Sequence, residues 1–138
     1  MNLLLIGCGG IGRRWLEGWI AYGASGDHIS ITIVEPFPYF DEIVAIKNEN
    51  TSVMTLPALE DLPAGKTFDL AVVATSSGVR NDVLGNLCSA DIHCSLLVLE
   101  KNLCQSLYDL DRLTELASSF DDVRVNCIVR HYPFAFAM

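Results

Sequence analysis

Short runs of consecutive apolar residues alternate along the chain with stretches in which apolar residues recur at helical spacing. A continuous apolar run is typical of a strand that is buried on both faces of a parallel sheet. Such runs predict strands at residues 2–7, 29–35, 69–74, 94–100 and 123–129. The helical spacing predicts helices at residues 11–22, 79–90 and about 105–120.

The stretch from residue 41 to residue 66 has a weaker pattern, which predicts a short helix, an edge strand near residues 51–56 and a turn at residues 59–62. Strands that alternate with helices form βαβ units with right-handed crossovers. The sequence therefore predicts an α/β fold, with a doubly wound parallel sheet between helices in three layers, α/β/α.

The composition narrows the class of protein. A chain of 138 residues favours one domain, and 51% hydrophobic with 19% charged residues excludes a disordered chain. A net charge of −8 argues against a broad surface for nucleic acid or anionic membranes, because phosphate binding needs a cationic patch. No apolar run is long enough to predict a membrane-spanning segment.

The cysteines and histidines argue against disulfides and metals. The five cysteines are odd in number and widely spaced, and none forms a CxxC pair. The three histidines show no metal-ligand spacing among themselves. We therefore expect a reducing compartment, with cysteines used as small apolar residues, and a cytoplasmic location.

A glycine-rich hexapeptide carries the strongest chemical signal. It consists of Gly7, Cys8, Gly9, Gly10, Ile11 and Gly12 and fits the pattern GxGxxG between a predicted buried strand and an amphipathic helix. The first glycine allows a tight turn, the second admits a pyrophosphate to the backbone, and the third lets the helix pack closely. The first-turn amides would bind phosphate. A plain tight turn remains the alternative.

Glu35 ends the second predicted strand, 23 positions after Gly12. An acidic side chain there accepts hydrogen bonds from ribose hydroxyls and repels a 2′-phosphate, so NAD is favoured over NADP. Arg13 and Arg14 would favour NADP if one of them approached that phosphate, but we expect both on the solvent face of the first helix. The alternative for Glu35 is a solvated carboxylate.

Two further groups follow the third and fourth long apolar runs. Ala74, Thr75 and Ser76 would line the pyrophosphate and the nicotinamide ribose, or simply cap the next helix. Glu100 and Lys101 end the next strand on the same rim. Lys101 there would bind or protonate a substrate oxygen, whereas a lone lysine at a strand end is more often only solvated.

At these four elements the sequence resembles the glucose-fructose oxidoreductase/inositol dehydrogenase family of NAD(P)-dependent oxidoreductases. The resemblance runs from NLLLIGCGGIGRRWLEGW through Glu35, FDLAVVATSSGVR and LLVLEKNL to VNCIVRHYP, and its most specific part is Glu100-Lys101, similar to the family's Glu-Lys-Pro motif. It implies a Rossmann domain that holds the cofactor with Gly7, Gly9, Gly12 and Glu35. It also implies hydride transfer to or from a hydroxyl or carbonyl carbon of a sugar or polyol derivative, with Lys101 as the catalytic lysine.

The sequence departs from the family pattern at named positions. Asn102 stands where the family usually has a proline, often a cis one, and Arg80 stands about where many members have a histidine. Ser76 and Ser77 replace the usual prolines.

The resemblance also implies a second domain that these residues do not contain. We expect residues 1–130 to form the cofactor domain, and the apolar residues 131–138 to begin a linker to a C-terminal α/β substrate domain. The resemblance further implies homo-oligomers that form largely through that domain. Two alternatives stay open: a stand-alone NAD-binding sensor or regulatory module without turnover, and a sugar-nucleotide-linked dehydrogenase.

Overall fold

The strands lie side by side in one parallel sheet. The computed structural model of the chain describes residues 1–37 and 49–127. Within these ranges six strands pair in the order β3-β2-β1-β4-β5-β6. The strands are β1 (Asn2–Ile6), β2 (Ile29–Val34), β3 (Thr51–Leu56), β4 (Thr67–Val73), β5 (His93–Glu100) and β6 (Val123–Asn126). This order confirms the doubly wound α/β prediction.

Helices cover the two faces of the sheet. The described residues form α1 (Gly10–Gly23), α2 (Arg80–Ser89) and α3 (Leu107–Ala117), with short 3-10 turns at Leu59–Asp61 and Ser77–Val79. Strand β1 alternates between the two cores. Leu3 and Leu5 pack in the cluster that contains Leu16 and Trp19 of α1. Leu4 and Ile6, by contrast, pack with residues of α2 and α3. The three layers α/β/α are therefore confirmed.

The predicted bounds of the elements differ from the observed ones by a few residues. Helix α2 begins at Arg80 rather than at residue 79 because a 3-10 turn precedes it, and α3 is shorter than predicted at both ends. The predicted edge strand and the turn after it are both present. The short helix expected after residue 41 falls mainly in residues 38–48, and residues 128–138 contain the rest of the last predicted strand and the linker. Both stretches lie outside the described residues.

The structure also describes the cysteines, the potential metal ligands and the lengths of the helices. All five cysteines are free thiols. No group of three or more potential metal-ligating side chains is present in residues 1–37 and 49–127. No helix in the part of the chain that the structure describes is both long enough and apolar enough to cross a membrane.

Candidate functional site

The candidate site lies at the carboxyl edge of the sheet, between β1 and β4. These neighbouring strands pair in parallel, with Leu3 opposite Leu70 and Ile6 opposite Val73. The chain leaves β1 toward α1 on one face and leaves β4 toward α2 on the other. The two loops therefore diverge and leave a crevice, which is where open α/β sheets bind ligands.

Two glycines of the hexapeptide are required by the backbone. Gly7 has a φ of +87°, and a Cβ on it would lie 3.0 Å from the amide nitrogen of Thr75. A Cβ on Gly12 would lie 2.0 Å from the carbonyl oxygen of Gly7. Gly7 thus makes the turn, and Gly12 lets the first turn of α1 press against the loop.

The other glycines face open space. A Cβ on Gly9 or Gly10 would meet no atom within 4 Å. Gly9 is the N-cap of α1 and supplies no side-chain cap, and the first turn, which contains Gly10 and Ile11, has no acidic residue. The positive end of the helix dipole and the first-turn amides can therefore receive an anion.

Glu35 is brought directly to the glycine loop. One carboxylate oxygen, Oε2, accepts a hydrogen bond from the Cys8 amide at 2.6 Å, and Oε1 accepts one from the Phe37 amide at 3.2 Å. The side chain is buried. Burial raises the pKa of the Cys8 thiol, and the nearby Glu35 carboxylate raises it further. The carboxylate oxygens keep lone pairs that can accept further hydrogen bonds from a hydroxylated ligand.

A cavity of about 520 Å³ opens beside these groups. Its polar lining includes Glu35, Thr75 and Ser76, together with the backbone of the glycine loop. Its apolar wall includes Pro36, Ala58, Leu59 and Val83. The volume lies in the range of small-molecule and cofactor sites.

The loop after β4 lines this cavity through Ala74, Thr75 and Ser76. The Ala74 amide donates to the Ile6 carbonyl at 2.8 Å, which ties this loop to the end of β1. The expected capping role is wrong, because neither the 3-10 turn that follows nor α2 has a side-chain cap. The Thr75 hydroxyl oxygen is buried and has no hydrogen-bond partner among the described residues.

The loop after β5 stands apart from this cavity. Glu100 is buried, and its Oε1 accepts hydrogen bonds from the Trp15 indole at 2.6 Å and from the side-chain Nδ2 of Asn126 at 2.7 Å. These three residues and Ile11 help to line a second cavity of about 310 Å³. Lys101 is exposed, and its peptide bond to Asn102 is cis. The structure therefore groups the glycine loop, Glu35 and the loop after β4 around the first cavity, whereas Glu100 lines the second cavity beside Ile11.

The two arginines after the hexapeptide are both exposed, as expected. Arg13 forms an ion pair with Glu17 on the surface of α1, with 3.4 Å between Nε of Arg13 and Oε1 of Glu17.

Arg80 is the residue that the sequence did not single out as part of a site. Its side chain is 1% exposed, and its guanidinium donates hydrogen bonds to the carbonyl oxygens of Thr75, Asn102 and Leu103. Burial lowers the pKa of Arg80, and the Glu100 carboxylate opposes that shift. The only signal in the sequence is an arginine at the position where the resemblance expects a histidine.

We compared the sequence and the fold with those of known proteins. No protein-family model matches the sequence, and no curated protein sequence matches it significantly. Solved structures do match. The chain superposes on the WlbA dehydrogenase from Bordetella pertussis, solved with NADH and UDP-GlcNAcA, with a TM-score of 0.69 over 98% of this chain at 21% identity. The chain has the Rossmann fold of these dehydrogenases.

Inositol dehydrogenases share the same fold. The match to myo-inositol 2-dehydrogenase from Lactobacillus plantarum has a TM-score of 0.70 over 99% of this chain at 13% identity. The match to scyllo-inositol dehydrogenase from Lactobacillus casei, solved with NAD(H) and scyllo-inositol, has a TM-score of 0.62 over 99% of this chain at 14% identity. In each of these three comparisons the match covers 39% of the other protein. These neighbours are dehydrogenases of the type that the sequence resembles.

Proposed function

We propose that this chain binds NAD in the cavity between the loops after β1, β2 and β4. One observation carries the proposal: the Glu35 carboxylate accepts a hydrogen bond from the glycine loop, and both line a cavity of about 520 Å³. The uncapped start of α1 would receive the diphosphate, and Glu35 the adenosine ribose. Three of the matched structures are described as holding NADH or NAD(H), which supports the same cofactor here.

The charge at the ribose position favours NAD over NADP. Glu35 is buried beside the cavity, so a 2′-phosphate would meet a carboxylate at short range. Arg13 is exposed on α1 and pairs with Glu17, although it is near enough to the glycine loop to oppose the rise that burial causes in the pKa of Cys8. The ribose diol of NAD has donors that suit the carboxylate instead.

We propose that the chain is the cofactor-binding part of an oxidoreductase that acts on a sugar, polyol or nucleotide-sugar derivative. The bound nicotinamide would supply hydride transfer to or from a hydroxyl or carbonyl carbon. Lys101, exposed at the rim, would hold or protonate the reacting substrate oxygen. The matched structures include proteins described with UDP-GlcNAcA and with scyllo-inositol, which supports this substrate class. The assignment of Glu100 to cofactor binding stays a prediction.

The remaining catalytic groups would come from outside these residues. The chain spans 34% and 39% of the length of the first two dehydrogenases that it matches. We propose that a substrate-binding α/β domain completes the active site and forms the homo-oligomer. The free cysteines support a location in the reducing cytoplasm.

Titration with NADH and NADPH tests the proposal. We expect NADH to bind more tightly than NADPH, and Gly9→Val to abolish both because the new side chain fills the space that the diphosphate needs. Gly85→Val in α2 is the matched control, since a Cβ there also meets no atom within 4 Å. Equal NADH affinity in the parent chain and in Gly9→Val would refute the assignment of the site.

A further inference from the structure

The buried guanidinium of Arg80 connects two loops that are distant in sequence. Nη2 donates to the Thr75 carbonyl at 2.7 Å, in the loop after β4. Nη1 donates to the carbonyl oxygens of Leu103, at 2.9 Å, and of Asn102, in the loop after β5. Arg80 itself is the first residue of α2. One side chain therefore fixes the spacing between the loop after β4, called here the Thr75 loop, and the loop after β5, called here the Lys101 loop.

The three hydrogen bonds of the two Nη atoms suit the geometry of a guanidinium. A planar group with several fixed donors can address carbonyls in different directions, whereas a lysine offers a single point charge. A buried cation is costly unless its environment compensates for it. Here the carbonyl oxygens and the Glu100 carboxylate both favour the charged form of Arg80.

Lys101 lies between two anchored neighbours. Before it, the Glu100 side chain is hydrogen-bonded to Trp15 and Asn126. After it, the Asn102 carbonyl accepts from Arg80. The backbone of Lys101 is therefore held from both sides while its side chain remains exposed. Such fixed presentation is what a residue that acts on substrate requires.

We propose that Arg80 is a positioning residue for the nicotinamide half of the site. It holds the Thr75 loop and the Lys101 loop at the separation that the nicotinamide riboside and the substrate need. This inference rests on the proposed binding of NAD. Doubly wound sheets bind one mononucleotide on each half, so the adenosine half lies over β1 to β3. There Glu35 accepts hydrogen bonds from the amides of Cys8 and Phe37, and neither of these residues is a hydrogen-bond partner of Arg80.

The two halves of the site can be probed separately. Arg80→Met should weaken NADH binding by about tenfold, because the loops after β4 and β5 would no longer be held in position for the nicotinamide half and binding would have to order them. The same variant should change the affinity for ADP, which occupies only the adenosine half, by less than about twofold. Arg80→Lys, which keeps the charge and one or two of the bonds, should recover part of the loss. Arg124→Met on β6 is the matched control, because that arginine is exposed and pairs with Asp122.

Each result decides the inference. Selective loss of NADH affinity with partial recovery in Arg80→Lys supports it. Equal loss of NADH and ADP affinity, or no loss of either, overturns it while leaving the proposed function intact. A parent chain that binds neither ligand refutes the proposed function, and the inference with it. If Arg80→Met does not fold in a urea titration, Arg80→Lys is compared with the parent chain on the same two ligands, and an unchanged ratio of affinities overturns the inference.

Discussion

At the scale of single residues, Glu35 carries a negative charge and also accepts a hydrogen bond from the backbone of the glycine loop. Its carboxylate is 2.6 Å from the Cys8 amide nitrogen and borders the cavity. Its neutral isostere, glutamine, has an oxygen that can accept the same hydrogen bond but carries no charge. The effect of charge on cofactor choice can therefore be separated from the effect of loop structure.

We expect Glu35→Gln to shift cofactor preference toward NADPH. A like-charge contact near 4 Å costs several kcal/mol at an effective dielectric constant of about 20, so the ratio of the NADPH to the NADH dissociation constant should fall by at least about tenfold. Fluorescence titration with both cofactors measures this ratio. Glu115→Gln on the exposed face of α3 should leave it unchanged. An unaltered ratio in Glu35→Gln would show that Glu35 does not face the 2′ position.

Gly12 has a structural role that is independent of any ligand. A methyl group there would lie 2.0 Å from the Gly7 carbonyl oxygen, which belongs to the backbone and cannot rotate away. We expect Gly12→Ala to lower the free energy of unfolding by about 1–3 kcal/mol, as overpacking does. Gly18→Ala, in the same helix but facing open space, should instead stabilise the protein slightly. Urea unfolding of the two variants measures the difference, and equal stability would contradict the close approach.

The residue scale also shows where sequence reasoning stops. The glycine pattern and Glu35 could be recognised because each follows a buried apolar run and has a spacing that backbone geometry dictates. Arg80 could not, because charged residues are normally exposed and its carbonyl partners come from two separate loops. The hydrogen bonds of Glu100 to Trp15 and Asn126 depend on strand order, which apolar runs do not specify.

At the scale of elements, strand β5 places a thiol in the core. Cys94 is buried, and burial together with Asp121 raises its pKa from an ordinary 9.0 to about 11. Between these two values the unfolded chain releases the proton and the folded chain keeps it. The stabilising contribution is therefore complete below pH 9 and is lost as the pH rises toward 11.

Above pH 9 the parent chain should lose stability because Cys94 ionises more readily in the unfolded state. We expect the Cys94→Ala variant to lack this part of the loss. The difference in unfolding free energy between the parent chain and the variant should shrink by about 2 kcal/mol between pH 8 and pH 11. Urea titrations at intervals of pH provide the measurement, and Cys88→Ala on α2 is the control for removing a thiol. A difference that does not change with pH would mean that Cys94 ionises equally in both states.

The strands were more predictable than the ends of the helices. A strand buried on both faces must be apolar throughout, so its run is visible in the sequence, as in β1 and β5. The helical spacing predicts the start of α2 one residue too early, because the 3-10 turn at Ser77–Val79 continues that spacing. It predicts the end of α3 too late, since Phe120 matches the apolar stripe but lies beyond the helix.

At the scale of the whole molecule, we expect this chain to bind NADH but not to catalyse its oxidation. NADH at a hundredfold excess over its dissociation constant should raise the free energy of unfolding by about 2.7 kcal/mol by mass action. The same 138 residues should show no oxidation of NADH with small carbonyl substrates, because the proposed substrate-binding domain is not among them. Thermal unfolding with and without NADH, and absorbance at the nicotinamide band, measure the two effects. Turnover by this chain alone would contradict the proposal that catalysis needs a further domain.

The pairing of β1 with β4 has a consequence for synthesis on the ribosome. The turn at Gly7 lies directly against the backbone of Thr75, from which it is separated by most of the first half of the chain. A nascent chain therefore cannot capture a dinucleotide through both loops until β4 and the residues just after it have emerged from the exit tunnel. Under the proposed function, NAD can therefore be bound by both loops only after β4 has been synthesised, and it cannot guide the folding of the first three strands.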